Sequence, residues 1–345
     1  MSKIQKLVDA GRHMFSRADI EMFGMFGPGN LGDEAMLVAA RRVLGDDRIM
    51  PWMAFPSRPW LDQAVNTKTR AHLLVGGGTL IHGGDTFWLD HVEKRVAQGM
   101  QLSAFGTGIA FMDHQIAERT GPYTRWSRLL QGARHVWLRG PMSVDVAAGM
   151  GVTAQVFGDF AFLLHGADLP PATTERSGFG INVGHCLDGQ PDFEARMARA
   201  VKLLAAEGPL TFYLVVADDL AATRRIIEAA DLPAGSYAIE SHFFDPLAYM
   251  DAVRRHRAMI ALKMHAAGLA MVVGMPTVMI AYKPKCHDFM APLSDGDQAL
   301  TGLDFVPEEL VAQALALEGG ETPSRIERSI AALAQTQRQV LSQAF

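Results

Sequence analysis

The strongest constraint on the fold of this chain is a repeated alternation of short apolar runs with longer segments of helical pattern. In the first half these runs are Ile20–Phe26, His72–Val75, Leu102–Phe105 and His135–Leu138. In the second half they are Gly180–Val183, Leu210–Val216, Ala258–Leu262 and Thr277–Ala281. Runs that are apolar throughout, rather than at every second position, are typical of parallel strands covered by helices on both faces. The alternation therefore predicts an α/β protein built on parallel sheets.

One segment, 166–178, interrupts this alternation. It consists largely of proline, glycine, small and charged residues, and offers almost nothing to bury, so we interpret it as a linker. It separates an N-terminal domain, 1–165, from a C-terminal domain, 179–320, and a final helix lies within 321–345. A length of 345 residues suits two domains. We expect two Rossmann-like domains of similar size with a cleft between them.

Charge and cysteine content restrict the class of function. The net charge of -5 gives no indication of nucleic-acid binding, which needs a basic face. Cys186 and Cys286 stand alone, without the spacing of a metal site, so we expect no metal and a reducing, cytoplasmic location. The segment Met1–Arg17 is amphipathic and basic and lacks the features of a signal peptide. Two placements remain for it: on the domain, or peripherally on the inner face of a membrane.

The first candidate site is a glycine loop between the first strand and the first helix, Gly27-Pro28-Gly29-Asn30-Leu31-Gly32. Its Gly-x-Gly-x-x-Gly spacing suggests a dinucleotide site, but the next strand ends at 53–56 without the acidic residue that would bind a ribose. We therefore expect no nicotinamide or flavin cofactor. Two interpretations remain: a loop that lets a ligand approach the backbone, or a tight turn with Asp33 as helix cap. The candidate ligand-binding residues are Gly29, Asn30 and Gly32.

Two further glycine loops follow predicted strands. Their candidate binding residues are Gly77, Gly78 and Thr79 in one loop, and Gly106 and Thr107 in the other. Ligands of open parallel sheets bind at the carboxyl edge of the strands, where three such loops would meet. The alternative is that glycine serves only to make these turns tight.

A cation closes the fourth strand of the first half. Arg139 follows Leu138 and precedes a helix start at Pro141. An arginine at this edge can hold a carboxylate or phosphate through two parallel hydrogen bonds. The alternative is a surface arginine that pairs with a nearby acid.

A second group of polar residues ends the buried strand Ala258–Leu262. Since residues two apart on a strand point the same way, we expect Lys263 and His265 to face one side. The helix that follows begins with small residues, which leaves its first amides open to an anion. Together these features predict a phosphate or carboxylate site with a proton donor. Lys285, after the next strand, could add positive charge, whereas a lone histidine is more often structural.

Taken in order, these segments resemble the polysaccharide pyruvyl transferase family. The resemblance is carried by Gly29–Leu37, Gly76–Leu80, Gly106–Ile109, Arg139–Ser143, Gly158-Asp159, Lys263–Ala266, Gly274–Pro276 and Lys285. Two positions depart from the family pattern. Lys263 stands where arginine is usual, and Phe160 stands where proline often follows the Gly-Asp pair. Lysine keeps the charge but loses the forked geometry of arginine.

The resemblance implies a GT-B-like architecture and a reaction without a redox cofactor. Phosphoenolpyruvate would be the donor, bound by Arg139, Lys263 and Lys285, and its pyruvyl unit would form a cyclic ketal with two hydroxyls of a sugar. His265 would donate a proton or stabilise phosphate, and Asp33 or Glu34 would be a base for the sugar hydroxyl. The acceptor would be a sugar or a lipid-linked oligosaccharide in surface-glycan biosynthesis.

Two other functions remain open from the sequence: a GT-B glycosyltransferase that uses a nucleotide sugar, and a non-catalytic sugar-binding protein. The oligomeric state is not indicated.

Overall fold

The computed structural model describes residues 16–52, 69–84, 87–111, 121–171, 175–184 and 191–345. By their contacts the described residues form two compact units. The first unit comprises the residues up to Pro28, Met36–Leu163 and Thr336–Phe345. The second comprises Gly29–Ala35 and Leu164–Gln335. The first turn of the first helix is thus grouped with the second unit, and the end of the last helix with the first.

The first unit contains a six-stranded parallel sheet. Its strands and those of a small neighbouring ladder are β1 (Ile20–Phe23), β2 (Ile49–Pro51), β3 (His72–Val75), β4 (Thr79–Ile81), β5 (Gln101–Phe105), β6 (Gly108–Ile109), β7 (His135–Leu138) and β8 (Gln155–Val156). The sheet order is β2-β1-β3-β5-β7-β8, and β4 pairs separately with β6. The helices are α1 (Leu31–Leu44), α2 (Phe87–Ala97), α3 (Thr124–Gln131) and α4 (Pro141–Gly149). The chain order reverses between β1 and β3, where ligands of such sheets bind.

The second unit contains another six-stranded parallel sheet. Its strands are β9 (Phe179–Asn182), β10 (Leu210–Leu214), β11 (Tyr237–Ser241), β12 (Ala258–Ala261), β13 (Thr277–Ile280) and β14 (Leu300–Thr301). The order β11-β10-β9-β12-β13-β14 is that of a dinucleotide-binding Rossmann sheet. The helices are α5 (Pro191–Glu207), α6 (Asp219–Ala229), α7 (Pro246–Val253), α8 (Met264–Val272), α9 (Pro284–Met290), α10 (Pro307–Gly319) and α11 (Thr322–Ala344).

The predicted fold class, α/β with two Rossmann-like parallel sheets, is confirmed, and all eight apolar runs contain a strand. Strands β1, β9, β10, β12 and β13 are buried at every position, as two-sided helix cover requires. Some strand ends differ from the prediction. The run Leu210–Val216 stops pairing at Leu214, because the amides of Val215 and Val216 donate to the carboxylate of Asp219 instead.

A buried ion pair fastens α2 to the first sheet. Glu21, on β1, and Arg95 are both fully buried and joined by two hydrogen bonds, and His91 Nε2 lies 2.8 Å from Oε1 of Glu21. Burial alone would raise the pKa of Glu21. The hydrogen bonds from His91 and Arg95 outweigh this effect and lower the pKa to about 2. Glu21 is therefore a charged core residue of the first unit.

No helix within the described part of the chain is long and apolar enough to cross a membrane. Of the amphipathic segment Met1–Arg17, all but Ser16 and Arg17 lie outside the described residues, as does the end of the predicted second strand at 53–56.

Candidate functional site

The candidate site of the second unit lies where the strand order of its sheet reverses. Strands β9 and β12 are neighbours, and from this pair the chain leads outward to β10 on one side and to β13 on the other. Such a switch point leaves a crevice at the carboxyl ends of the strands. Lys263 follows β12 at this point, and α8 begins at the next residue.

The prediction that Lys263 and His265 share one face of a strand is wrong, although both residues lie at this edge of the sheet. The strand ends at Ala261, so the alternation of side chains along a strand does not apply to residues 263–265. Lys263 is instead the residue before α8, in extended conformation, and His265 lies in the first turn of that helix. Met264 is buried, whereas Lys263 and His265 are partly exposed.

The backbone of Lys263 is fixed by a buried asparagine. Asn182 is the last residue of β9, and its Oδ1 accepts a hydrogen bond of 2.9 Å from the Lys263 amide. The Nδ2 atom of the same side chain donates to the carbonyl of Tyr213 on β10, also at 2.9 Å. Asn182 thereby joins three strand ends and sets where the lysine leaves the sheet.

The side chain of Lys263 lies beside a buried carboxylate. Its Nζ is 3.5 Å from Oδ1 of Asp219, which is fully buried at the start of α6, while the lysine side chain is 15% exposed. Gly184, just after β9, packs on the lysine stem: a Cβ added there would lie 2.4 Å from Cε of Lys263. Since Lys263 keeps some exposure, its ammonium can also reach a ligand.

His265 lies against the first glycine loop. A Cβ added to Gly32 would stand 2.0 Å from Nδ1 of His265, so only glycine fits here without displacing the imidazole. On another side the ring meets Phe289 of α9 edge to face, with ring centres 6.2 Å apart. The glycine at position 32 and the phenylalanine together define the orientation of His265.

The segment Gly29–Ala35 is bound to the second unit through its backbone. The amide of Leu31 donates to the carbonyl of Val215, at the end of β10, at 3.0 Å. Asn30 caps α1, because its Oδ1 accepts a 3.2 Å hydrogen bond from the Gly32 amide. Capping by Asp33 stays a prediction. Asp33 is 7% exposed in the first turn, and its role as a base stays a prediction.

The second and third glycine loops lie in the first unit and bind each other. The amide of Gly108 donates to the carbonyl of Gly78 at 3.1 Å, and Oγ1 of Thr107 donates to the same carbonyl at 2.8 Å. A Cβ on Gly77 would be 2.8 Å from Cα of Gly24, so this turn also touches the turn after β1. The second and third loops thus meet at one sheet edge, beside the turn at Gly24. The meeting of the first loop with these two, and binding by Gly77, Gly78, Thr79, Gly106 and Thr107, stay predictions.

Arg139 is fully buried within the first unit, so its interpretation as a surface arginine is wrong. Its Nη2 donates to Oγ1 of Thr79 at 3.1 Å, and its guanidinium covers Gly108, where a Cβ would lie 2.1 Å from Nη2. These contacts join the second and third loops. Donor binding by Arg139 stays a prediction.

Lys285 lies in the first turn of α9, after β13. Because β13 pairs with β12, Lys285 and Lys263 follow neighbouring strands at the same edge of the second sheet. The ammonium of Lys285 lies 5.0 Å from the ring centre of Tyr282, a cation–π geometry that leaves it partly exposed.

Three residues that support this site were not singled out from the sequence: Asn182, Gly184 and Asp219. Asn182 carries a weak signal, since it is the only polar side chain in the run Phe179–Val183. In the sequence, Asp219 looks like an ordinary acidic residue in the first turn of a helix. Its burial depends on how the folded chain packs around it. Among the described residues there is no cluster of three or more metal-binding side chains, and the absence of a metal stays a prediction.

The two parallel sheets and their strand orders define an α/β protein of the GT-B-like class. The sequence model of the family described as polysaccharide pyruvyl transferase matches residues 30–284, from the first glycine loop to the start of α9. This match covers most of the chain, and the protein belongs to that family of transferases.

Solved structures show the same fold at low sequence identity. A Listeria monocytogenes protein assigned as a UDP-N-acetylglucosamine 2-epimerase has a TM-score of 0.61 at 11% identity, over 92% of this chain and 94% of its own. The UDP-GlcNAc 2-epimerase of Neisseria meningitidis, bound to UDP-GlcNAc, has a TM-score of 0.53 at 10% identity, over 92% and 98%. MnaA of S. aureus with UDP has 0.53 at 9% identity, over 90% of each chain. No curated protein is similar enough in sequence to match.

Proposed function

We propose that this protein transfers the pyruvyl unit of phosphoenolpyruvate to two hydroxyls of a sugar, forming a cyclic ketal. One observation carries the proposal. In a chain of this family, Lys263, His265 and the Gly32 turn come together at the switch point of the second sheet. Family membership supplies the reaction class, and the residues supply a cation and a titratable group.

The donor carries a phosphate and a carboxylate, and both need positive partners. Lys263 and the first amides of α8 offer one anion site, where charge and helix dipole act together. Lys285, which follows the neighbouring strand β13 at the same edge, is the candidate partner for the second anionic group. The donor prediction for Arg139 is retained, with the added expectation that its loss also weakens the fold.

The chemistry then requires one proton for the donor and two hydroxyl nucleophiles from the sugar. A proton added to the methylene carbon of the donor places positive charge on the carbon that bears the phosphate. A sugar hydroxyl attacks that carbon; phosphate leaves with the electrons of its bond to carbon, and the second hydroxyl closes the ketal. His265 is the candidate acid or phosphate partner, since histidine is the side chain that most often acts as a general acid.

The first glycine loop is the candidate acceptor contact beside this donor site. Asn30 is exposed, Gly29 has a positive φ of 88°, and Gly32 touches the imidazole, so a ligand at the loop lies near His265. Asp33 is the candidate base for the attacking hydroxyl. The proposed reaction uses no metal or redox cofactor and no nucleic acid, and it takes place in the cytoplasm on a sugar or a lipid-linked oligosaccharide. Peripheral membrane contact would suit the second kind of acceptor.

The test is turnover with phosphoenolpyruvate and a panel of sugars and lipid-linked sugars. The expected result is release of phosphate together with a product heavier than the acceptor by one pyruvic acid minus one water. Phosphate release without the heavier product would indicate simple hydrolysis. Absence of both with every acceptor, while a nucleotide sugar is consumed, would refute the proposal.

A second candidate, a glycosyltransferase using a nucleotide sugar, is favoured by one observation. Two structures of the same fold contain UDP or UDP-GlcNAc. In that case Lys263 would bind the diphosphate. Release of free UDP from UDP-GlcNAc in the presence of an acceptor would support this candidate instead.

A further inference from the structure

A fully buried carboxylate beside the candidate donor site needs an explanation. Asp219 has no exposed surface, and its Oδ2 accepts long hydrogen bonds of 3.4 and 3.3 Å from the amides of Val215 and Val216. Its other oxygen, Oδ1, faces Nζ of Lys263 at 3.5 Å. Burying a charge is costly unless it is paired, so this carboxylate is held in place for its contacts with the turn and the lysine.

On a second side the stem of Lys263 packs against Gly184, which has no side chain. A Cβ on Gly184 would lie 2.4 Å from Cε and 3.2 Å from Cδ of Lys263, and 3.1 Å from Oδ1 of Asp219. The glycine therefore makes the space in which lysine and aspartate meet. Three separate chain segments, after β9, β10 and β12, converge on one ammonium group.

We propose that Asp219 and Gly184 are positioning residues that hold the ammonium of Lys263 in its donor-binding place. This inference rests on the proposed function and adds the residues that set the lysine geometry. A lysine has a flexible four-carbon stem, and fixing it in advance removes that ordering from the binding step. Asp219 acts through Lys263 and need not touch the donor.

The carboxylate could in principle have the opposite effect, by competing with an anionic donor for the lysine. Burial decides between the two effects. Asp219 has no exposed surface and so cannot itself meet a donor, whereas the side chain of Lys263 keeps 15% of its surface exposed. The attraction of donor to lysine then acts over a shorter distance than the repulsion from Asp219, and fixed geometry dominates.

The first experiment compares Asp219→Asn with Asp218→Asn, its exposed neighbour in the same turn. Asp219→Asn keeps the shape and removes the charge. We expect the KM and Kd for phosphoenolpyruvate to rise about tenfold with kcat changed much less, and Asp218→Asn to match wild type. A lower KM would show competition, and unchanged kinetics would show a purely structural role; either result overturns the proposal.

Gly184→Ala provides a second variant in case Asp219→Asn does not fold. The added methyl should displace the lysine stem and raise the same KM. Gly149→Ala, where a Cβ meets nothing within 4 Å, is the matched control. A Gly184→Ala protein with wild-type KM would contradict the positioning role proposed for Gly184.

Lysine labelling separates this inference from the proposed function, because it needs no substrate. Brief treatment with acetic anhydride and mass spectrometry give the acetylation rate of Lys263, with exposed Lys202 as internal reference. We expect Asp219→Asn to raise the Lys263 rate severalfold and leave Lys202 unchanged. Equal Lys263 rates in both proteins would overturn the positioning role, even if phosphoenolpyruvate binds. If wild type does not bind phosphoenolpyruvate but labelling responds, the proposed function fails alone.

Discussion

At the scale of single residues, the candidate site depends on glycines that make room for charged or titratable side chains. Gly32 admits the imidazole of His265, Gly184 admits the stem of Lys263, and Gly108 lies under the guanidinium of Arg139. Each of these glycines is adjacent to a side chain that the sequence already marked as functional. Their role is therefore to provide space.

Gly32→Ala tests this view at His265. The new methyl would overlap the imidazole at 2.0 Å from Nδ1, so the ring must turn away. We expect kcat to fall at least about tenfold with little change in thermal stability, since misplaced catalytic groups lose large factors in rate. Gly149→Ala should keep full activity. Wild-type turnover by Gly32→Ala would show that His265 does not need this position.

His265→Ala and His265→Gln separate proton transfer from anion binding. General acid catalysis is typically worth about 10²–10⁴-fold in rate, and we expect kcat to fall by about this factor in both variants. The affinity for phosphoenolpyruvate should change less than about tenfold, since Lys263 and the helix amides remain. If glutamine restores turnover, or if alanine abolishes binding while kcat stays normal, His265 is a phosphate partner.

At the scale of elements, buried arginines fasten helices and loops to the first sheet. Arg95 ties α2 to β1 through Glu21, and Arg139 ties the loop after β3 to the loop after β5 through Thr79 and Gly108. Such charges stabilise only as parts of satisfied clusters, because removing one partner leaves the other buried and unpaired.

Arg139→Ala should therefore lower stability as well as activity. We expect a loss of about 3 kcal/mol, because the substitution leaves a cavity where a fully buried side chain stood and removes the hydrogen bond to Thr79. The loss would be visible as a lower melting temperature. Exposed Arg134→Ala, which removes a surface contact with Gln101, should melt like wild type. An Arg139→Ala protein with unchanged melting but no donor binding would assign Arg139 to the donor alone.

The Glu21 cluster gives a prediction about pH. The pKa of Glu21 is lowered from 4.5 to about 2, so its charged form favours the folded state by about 3 kcal/mol above pH 4.5. This contribution is lost as the pH falls from 4.5 towards 2, when the folded protein also takes up the proton. The difference in urea midpoint between wild type and Glu21→Gln should shrink over that range. A constant difference would contradict the assignment, and Glu228→Gln, at an exposed position, is the control.

At the scale of the whole molecule, sequence reasoning predicted the two sheets because buried parallel strands are apolar throughout. It could not predict the order of the strands, since that depends on which runs pair. It also missed the support around Lys263, because Asn182 lies 81 positions away and only the fold brings its amide to the lysine. Lys263 and His265 were found because polar residues after a buried strand stand out, although His265 proved to be helical.

Donor binding at Lys263 is measured most directly by calorimetric titration of wild type and Lys263→Ala with phosphoenolpyruvate and, separately, with UDP-GlcNAc. We predict that wild type binds phosphoenolpyruvate in preference to UDP-GlcNAc. Lys263→Ala should fold but melt at a lower temperature, because it removes the ammonium beside the buried carboxylate of Asp219. It should also lose about 1.5–3 kcal/mol of donor binding. Tight binding of UDP-GlcNAc without binding of phosphoenolpyruvate would contradict the proposed donor. A Lys263→Ala protein with full donor affinity would contradict donor binding by Lys263.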